Sequence, residues 1–262
     1  MNRIDFVQSS RSRQITVPYI CEDLAEDIGI QIGDGCIGRY KRSKKDGSLN
    51  SVVTVVGDLK EGGYYLKTTV LHLKKRLYGS GINFKTYRNI GGKTIVLYTS
   101  SKNLVNFYEH LGLPVGPKNN INIPKFIFQD KKLQIAFIRG LADTDGCLSF
   151  RINKSTKRHD RPVIRFATKS KTLALGMCKI FENLGFTYSK CLDVRRYDTR
   201  YKTREYSVIH DLYVSGKKNL EKWMDLVGFS NIVPLTRYRV YRKLGYCPPG
   251  TTLKHRLEIL GG

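Results

Sequence analysis

The sequence contains one short acidic segment twice, 111 residues apart. Residues 27–35 read DIGIQIGDG and residues 138–146 read IRGLADTDG. At this offset Asp34 matches Asp145, and the flanking matches are Gly29 with Gly140, Gly35 with Gly146 and Cys36 with Cys147. A repeat of this kind predicts two copies of one structural unit within a single chain.

Two further segments recur in the same order. The stretch KTTVLHLKKRLYGSGINFKT from Lys67 parallels KTLALGMCKIFENLGFTYSK from Lys171, and LYTSSKNLVNFYEHLGLP from Leu97 parallels LYVSGKKNLEKWMDLVGFS from Leu212. Apolar residues recur at helical spacing in both pairs, and strand-like runs flank them. The pattern of each half therefore predicts the order helix, two strands, helix, two strands, helix. The whole chain is predicted to have a duplicated αββαββα fold of the α+β class.

The predicted strands set the boundaries of the two halves. In the first half they span 37–42, 52–57, 82–87 and 94–99, and in the second half 148–153, 163–168, 190–196 and 206–215. The segment GPKNNINIP at 116–124 interrupts the pattern with Pro, Gly and Asn. We predict an N-terminal repeat at 1–116 with the first motif at 27–35, a linker at 117–131, and a C-terminal repeat at 132–262. That second repeat contains the motif at 138–146 and ends in a basic helix.

The charge balance points to a polyanionic partner. Lys and Arg number 46 against 22 Asp and Glu, so the formal net charge is +24, spread through the chain rather than held in a tail. Nucleic acid is the leading partner. No stretch approaches the roughly 18 apolar residues of a spanning helix, and the first residues lack an apolar signal core. We expect a soluble, intracellular protein of the cytoplasm or nucleoid, with an organelle left open, and no membrane partner.

The six cysteines form no CxxC pair and no Cys/His cluster with zinc spacing. We expect them to be reduced and mostly buried.

Each acidic segment predicts a turn at the end of a helix. Small residues lie four apart on both helices, which lets two backbones approach closely. If the halves pack about a pseudo-twofold axis through these helices, Asp34 and Asp145 meet at two negative helix ends. Like charges and helix dipoles disfavour ionised carboxylates there, and a divalent cation such as Mg²⁺ resolves the conflict. Placed against nucleic-acid phosphates, such a site can hydrolyse a phosphodiester.

A simpler interpretation is that Asp-Gly is a helix stop signal, with Gly35 and Gly146 as left-handed C-caps. Two copies with shared flanks in a strongly basic chain favour the metal site, and the glycines can act as caps in either case.

The segment IRGLADTDG resembles the LAGLIDADG motif of homing endonucleases, and DIGIQIGDG resembles a more divergent first copy. The resemblance covers nearly the whole chain, and the doubled motif is similar to the monomeric, pseudo-symmetric members. It implies two antiparallel sheets forming a DNA-binding saddle about a central two-helix interface. It also implies Mg²⁺-dependent cleavage of both strands of a long, asymmetric DNA site, with short 3′ overhangs, in the service of intron homing. Mn²⁺ or Ca²⁺ is expected in the same sites.

The resemblance assigns residues by motif position. The metal-binding acid, eighth in the motif, falls on Asp34 and Asp145, and the carbonyls of Gly33 and Thr144 before them are expected to assist. Asp143 has no acidic counterpart and is left to cap a helix, pair with a cation or stay solvated.

Family members also carry a lysine or glutamine near the metals. Lys118, before the second motif, and Lys169, at the end of the second strand, occupy such places and are the candidate catalytic cations. Lys102, Lys217 and Lys218 lie at matched strand-to-helix junctions and are further candidates.

Strand alternation predicts which side chains face DNA. Leu148, Phe150 and Ile152 are expected to point inward, as are Ile164 and Phe166. Outward-facing polar residues suit base edges and loop lysines suit phosphates. The predicted DNA-binding residues are Tyr40, Arg42, Lys44, Lys45, Ser149, Arg151, Asn153, Lys154, Arg165, Arg195 and Arg204.

Two other functions suit the same fold. An RNA-binding maturase would have its own intron RNA as partner, and a non-cleaving DNA-binding regulator would keep the basic saddle without needing two acids. The presence of both Asp34 and Asp145 favours the endonuclease. We expect an intein less, because the chain begins at Met1 and shows no evident splicing block.

Overall fold

A computed structural model describes residues 3–41, 49–89, 92–197 and 206–261. The chain forms two compact units. The first comprises Met1–Pro117, Pro124–Thr144 and Ser230–Ile232, and the second Lys118–Ile123, Asp145–Phe229 and Val233–Gly262. The second motif helix therefore packs with the first unit, while Asp145 begins the main body of the second.

The described residues of the N-terminal repeat form four strands and three helical stretches. They are α1 (Glu22–Ile32), β1 (Gly35–Lys41), β2 (Leu49–Asp58), α2 (Gly63–Tyr65) running through a π-helical turn (Leu66–Val70) into α3 (Leu71–Tyr78), β3 (Lys85–Arg88), β4 (Thr94–Ser100) and α4 (Lys102–His110). The sheet has the order β1-β2-β4-β3, and every pair is antiparallel.

The C-terminal repeat has the same order of elements. After a 3-10 turn (Lys125–Gln129) come α5 (Lys131–Ala142), β5 (Cys147–Ile152), β6 (His159–Thr168), α6 (Lys171–Asn183), β7 (Tyr188–Tyr197), β8 (Tyr206–Ser215), α7 (Lys217–Leu226), α8 (Ile232–Leu244) and α9 (Leu253–Leu260). Its antiparallel sheet has the order β5-β6-β8-β7. The predicted α+β fold with a duplicated arrangement is confirmed, and α8 is the predicted basic helix. Helix α9 was not predicted from the sequence.

The sheet core follows the predicted alternation with one exception. Leu148, Phe150, Ile164 and Phe166 are buried, as expected for inward positions. Ile152 is 50% exposed, so its inward assignment is wrong. The pairing register shifts between Arg151 and Ile152, and such an irregularity breaks the two-residue period.

Short polar side chains begin several helices. Ser101 accepts a hydrogen bond from the Leu104 N–H at the start of α4, and Ser170 accepts one from Leu173 at the start of α6. The Ser170 hydroxyl also bonds the backbone of Ile121 through both its N–H and its carbonyl. This contact holds the 118–123 segment against the second unit.

A buried polar network joins α1 to α3 and α4 in the first unit. The Lys74 ammonium, 1% exposed, donates to the Asp27 carboxylate at 2.7 Å, to Gln31 at 3.2 Å and to the Tyr108 hydroxyl at 2.8 Å. The hydroxyls of Tyr78 and Tyr108 each donate to the other Asp27 oxygen at 2.6 Å. Burial and the Asp27 charge raise the pKa of both phenols well above their ordinary value. The lysine and the aspartate thus compensate each other's charge inside the repeat.

The cysteines are all free, as expected. Only Cys178 and Cys247 are buried, while Cys147 and Cys191 are exposed, so the prediction that most are buried is wrong. No helix within the described ranges is long and apolar enough to cross a membrane.

Candidate metal-binding turns and nucleic-acid interface

Helices α1 and α5 cross through their glycines. A Cβ atom added at Gly29 would lie 2.2 Å from the carbonyl oxygen of Phe137, and one added at Gly140 would lie 2.2 Å from the carbonyl oxygen of Glu26. Glu26 and Phe137 are themselves 111 residues apart, so the contact is reciprocal. Only a residue without a side chain allows this approach, which explains the glycine at both positions.

The first acidic turn follows the end of α1. Gly33 closes the helix, with its N–H bonded to the Gly29 carbonyl at 3.0 Å. Asp34 is exposed, and its carbonyl oxygen accepts the Val56 N–H at 3.0 Å, which ties the turn to β2. Tyr65 is 3% exposed, and burial and then the charges of Asp143, Glu26 and Asp34 raise its pKa well above the ordinary phenol value. Three acids therefore act on the pKa of one buried phenol, and the charge of Arg139 opposes them.

The second acidic turn follows the end of α5. The Thr144 hydroxyl donates to the Gly140 carbonyl at 2.9 Å and to the Leu141 carbonyl at 3.1 Å, which satisfies acceptors of the last helical turn. Asp145 is exposed, yet the surrounding protein raises its pKa above the ordinary value, and the positive charge of half-buried Lys118 opposes that shift. An acid and a cation therefore lie close together in the second unit.

The glycines after the two aspartates are not left-handed caps. Neither Gly35 nor Gly146 is among the glycines with positive φ in the described chain, so the suggested αL caps are wrong. Gly35 has a different role, because a Cβ there would lie 2.4 Å from the Gln31 carbonyl oxygen. The chain must pass directly from the helix into the strand at this point.

Asp143 has a capping role of its own. Its carboxylate accepts the N–H groups of Ser230 at 2.8 Å and Asn231 at 3.1 Å, immediately before α8. The Asn231 side chain returns a bond to the Asp143 carbonyl at 2.8 Å. Burial raises the pKa of Asp143 to about 8, and the two N–H bonds oppose the rise. Of the roles left open by the sequence, capping is the one that the structure supports.

The candidate lysines differ in their surroundings. Lys118 is the cation whose charge acts on the pKa of Asp145. Lys169 is exposed just beyond β6, toward the sheet end where Cys147 pairs with Arg165. Lys102, Lys217 and Lys218 are exposed at the starts of α4 and α7. Among the residues that the structure describes, no group of three or more His, Cys, Asp or Glu could by itself hold a metal.

In the N-terminal sheet, Tyr40 lies on the face predicted to be outward. It is 57% exposed, and its ring covers Gly38, where an added Cβ would lie 2.5 Å from a ring carbon. Gly38 is buried for this reason, although it shares the outward face. Arg42, Lys44, Lys45 and Arg204 lie outside the described residues.

In the C-terminal sheet, the predicted DNA-binding residues occupy several environments. Ser149 is half-buried, and exposed Arg151 stacks its guanidinium 5.3 Å from the centre of the Tyr213 ring. Asn153 and Lys154 lie in the hairpin loop, where the Asn153 side-chain oxygen accepts from Arg161 at 3.2 Å. Arg165 is half-buried and donates two hydrogen bonds to Asp211.

Arg195 and its neighbour lie on opposite faces of the sheet. Arg195 pairs with Val208 and Arg196 with Ser207, so their side chains project in opposite directions. Arg196, which is not among the predicted DNA-binding residues, bonds Asp211 on the same face as Arg165. Strict alternation places Asp211 of β8 on this face. The irregular register of β7 between Cys191 and Val194 means that alternation along β7 does not show which of its arginines shares that face.

A basic cavity opens at one end of the C-terminal sheet. It has a volume of about 520 Å³ and includes Arg151, Arg161 and Lys217 in its lining, together with Asn153 and Asp160. Arg151 and Arg161 are direct cross-strand partners. Like charges placed opposite each other are unfavourable in isolation, so this arrangement favours an anionic ligand such as a phosphate.

The chain matches known proteins in sequence and in fold. Residues 132–228 match the family model described as LAGLIDADG-like domain. A curated relative, the replication factor C small subunit of Methanocaldococcus jannaschii, is 26% identical over 210 residues. These cover 80% of this chain but 10% of that protein, so the chain spans about a tenth of the relative's length.

Two groups of solved structures share the fold. The homing endonuclease I-DmoI, in complex with DNA and Ca, is 20% identical with a TM-score of 0.53 over 79% of this chain and 88% of that chain. The I-LtrWI LAGLIDADG homing endonuclease bound to target DNA is 13% identical with a TM-score of 0.53, over 85% and 89%. The resemblance that the doubled motif implies is confirmed.

Proposed function

We propose that this chain, which contains a LAGLIDADG-like domain and has the fold of the single-chain LAGLIDADG homing endonucleases, is a site-specific DNA endonuclease that uses a divalent metal. One observation carries the proposal. Two helices of matched sequence cross through Gly29 and Gly140, and each is followed within three residues by an exposed aspartate. A helix crossing alone would not require the acids.

The residues of the two turns fit a hard divalent cation. Carboxylate oxygens of Asp34 and Asp145, with the carbonyls of Gly33 and Thr144 at the helix ends, are the donors that Mg²⁺ prefers, and exposure leaves room for retained waters. We propose Mg²⁺ as the cofactor, with Mn²⁺ or Ca²⁺ able to bind the same donors. When bound, the cation neutralises phosphate charge and lowers the pKa of the attacking water.

The proposed roles of the protein groups follow from charge and position. Asp34 and Asp145 stay ionised to hold divalent cations, and Lys118 supplies positive charge beside Asp145 to stabilise charge that develops on the phosphate. Lys169, at the end of β6, is a second candidate for the same role.

The outward faces of the two sheets are the proposed DNA-binding surface. Tyr40, Ser149 and Arg151 are placed to read base edges, and the cavity at Arg161 and Lys217 suits a backbone phosphate. We further propose that the chain acts as a monomer on a long, asymmetric double-stranded site, leaves short 3′ overhangs and is encoded by an intron.

The test is cleavage of a randomised or genomic DNA library with Mg²⁺, followed by sequencing of the ends. We expect wild type to leave a constant overhang at one family of sites. Asp34→Asn and Asp145→Asn are each expected to abolish double-strand cleavage of that site in a supercoiled plasmid while binding in Ca²⁺ survives. Asp225→Asn, an exposed aspartate on α7, makes the same charge change and is expected to cut normally.

Other outcomes would contradict the proposal. Wild-type-like cutting by both motif variants would exclude the mechanism. Specific DNA binding with no cutting in Mg²⁺ or Mn²⁺ would identify a regulator, and preferential binding of structured intron RNA would identify a maturase.

A further inference from the structure

One buried acid holds two arginines on the outward face of the C-terminal sheet. Asp211 in β8 is 0% exposed. Its Oδ1 accepts the Nε and Nη2 groups of Arg165, from β6, at 2.9 and 2.7 Å, and its Oδ2 accepts Nη2 of Arg196, from β7. Both carboxylate oxygens therefore accept hydrogen bonds, and each oxygen accepts from an arginine on a different neighbouring strand.

The two guanidiniums remain available to a ligand. Their side chains are 38% and 42% exposed, and an arginine has five N–H donors, of which Arg165 gives two to Asp211. Two cations on one anion leave a net charge of about +1 at the cluster. The carboxylate also restrains two long side chains that would otherwise lose rotamer entropy on docking.

The fold itself does not require this acid. By the matched segments, Asp211 corresponds to Val96 in the N-terminal repeat and Arg165 corresponds to Thr54. Val96 is 6% exposed and pairs across the sheet in the same way, so an apolar residue completes the equivalent sheet. A buried ion cluster is seldom the most stable choice for a site that an apolar side chain can fill. A role in recognition explains why the cluster is present.

We propose that Asp211 is a positioning residue that presents the guanidiniums of Arg165 and Arg196 to base edges in the DNA major groove. This inference rests on the proposed function. Arginine in a fixed, forked orientation reads guanine through O6 and N7. Because one carboxylate holds both side chains, the base pairs they reach lie within about two or three steps of 3.4 Å along the duplex.

The experiment selects DNA from a randomised library with the full chain in Ca²⁺. Wild type is expected to show a guanine-containing preference over two or three neighbouring positions in one half of the site. Asp211→Asn is expected to lose that preference by roughly tenfold or more per position while the preference elsewhere is kept. Arg165→Lys and Arg196→Lys keep the positive charge but lose the forked N–H donors of the guanidinium. Each is therefore expected to lose part of the sequence preference over the same two or three positions.

The control is Asp193→Asn. Asp193 is an exposed acid on β7 that pairs with Lys171 at 2.7 Å, so the charge change is the same but no arginine is released. Its φ of 58° is a conformation that asparagine tolerates. This variant is expected to keep the full wild-type preference.

The outcomes separate the inference from the function on which it rests. An unchanged preference in Asp211→Asn, or an equal weakening at every position with a lower melting temperature, would overturn the positioning role and leave the endonuclease intact. If Asp211→Asn does not fold, an unchanged preference in both lysine variants would overturn it instead. A wild type that binds DNA with no sequence preference would remove the proposed function and this inference together.

Discussion

The two repeats share a backbone plan and place their charged clusters differently. The N-terminal repeat buries Lys74 with Asp27 and two tyrosines between its helices. Three of the four matched positions in the C-terminal repeat are apolar, namely Ile138 for Asp27, Cys178 for Lys74 and Met224 for Tyr108, while Glu182 matches Tyr78. One copy of the fold is therefore built around an ion pair that the other copy does without.

In the two sheets it is the C-terminal repeat that carries the charged cluster. The C-terminal sheet holds Asp211 between two arginines, and the N-terminal sheet has Val96 and Thr54 at the corresponding places. What both copies retain is the glycine of the motif helix and the aspartate after it. The comparison separates features that the shared architecture needs from features that only one repeat uses.

The largest expected effect comes from breaking the buried pair. Lys74→Met leaves Asp27 buried without its cation, and we expect a loss of about 3–5 kcal/mol in the free energy of unfolding, measured with urea. Lys75→Met, at the exposed neighbouring position, is the matched control and is expected to change stability by about 0.5 kcal/mol or less.

A combined variant tests whether the repeats are interchangeable here. Asp27→Ile with Lys74→Met, Tyr78→Phe and Tyr108→Phe makes the network apolar, and the second repeat likewise lacks the ion pair, so this variant is expected to recover most of the loss. A combined variant as unstable as Lys74→Met alone would show that the N-terminal core depends on its polar groups.

The next prediction concerns the motif-helix glycine that both repeats share. Gly29→Ala and Gly140→Ala each push a Cβ atom against a backbone carbonyl at 2.2 Å. We expect each to lower stability by about 1–3 kcal/mol, despite the roughly 1 kcal/mol by which alanine favours a helix over glycine. Because the contact is reciprocal, the two losses should be similar.

Gly176→Ala serves as the control for the glycine pair. This helical glycine faces the end of the Ile123 side chain, which can move, so the change should be within about 1 kcal/mol. A clear loss in only one of the two motif glycines would contradict the reciprocal crossing.

A further effect concerns an acid present in one repeat only. Asp143 corresponds to Ile32 in the first motif, and burial raises its pKa to about 8. The native state therefore binds this proton more tightly than the unfolded state does, so the Asp143 contribution to stability falls as pH rises from about 4 to 8.

We expect the unfolding free energy of wild type, relative to Asp143→Asn, to decrease across that range in urea titrations at several pH values. Asp225→Asn controls for loss of an exposed aspartate. A difference between wild type and Asp143→Asn that stays constant with pH would contradict the raised pKa.

Local pattern was enough to predict most of the fold. Helical and strand periods located the helices of the αββαββα plan and the four strands of each sheet, but not α9, because these periods depend on residues close together in the chain. The doubled glycine predicted close helix packing for the same reason, since its effect is steric and needs no partner side chain. The inward assignment of Ile152 was wrong because the register shift between β5 and β6 is not visible in the hydrophobic pattern.

By itself, then, the sequence determined the duplicated αββαββα order, the two motif helices and the pair of matched acids. The tertiary structure alone decided that Asp143 meets Ser230 and Asn231, that Asp211 holds Arg165 and Arg196, and that Lys74 is buried. The physical reason is distance along the chain. A periodic pattern is a local property, whereas the partner of a charged side chain depends on strand register and loop path across dozens of residues.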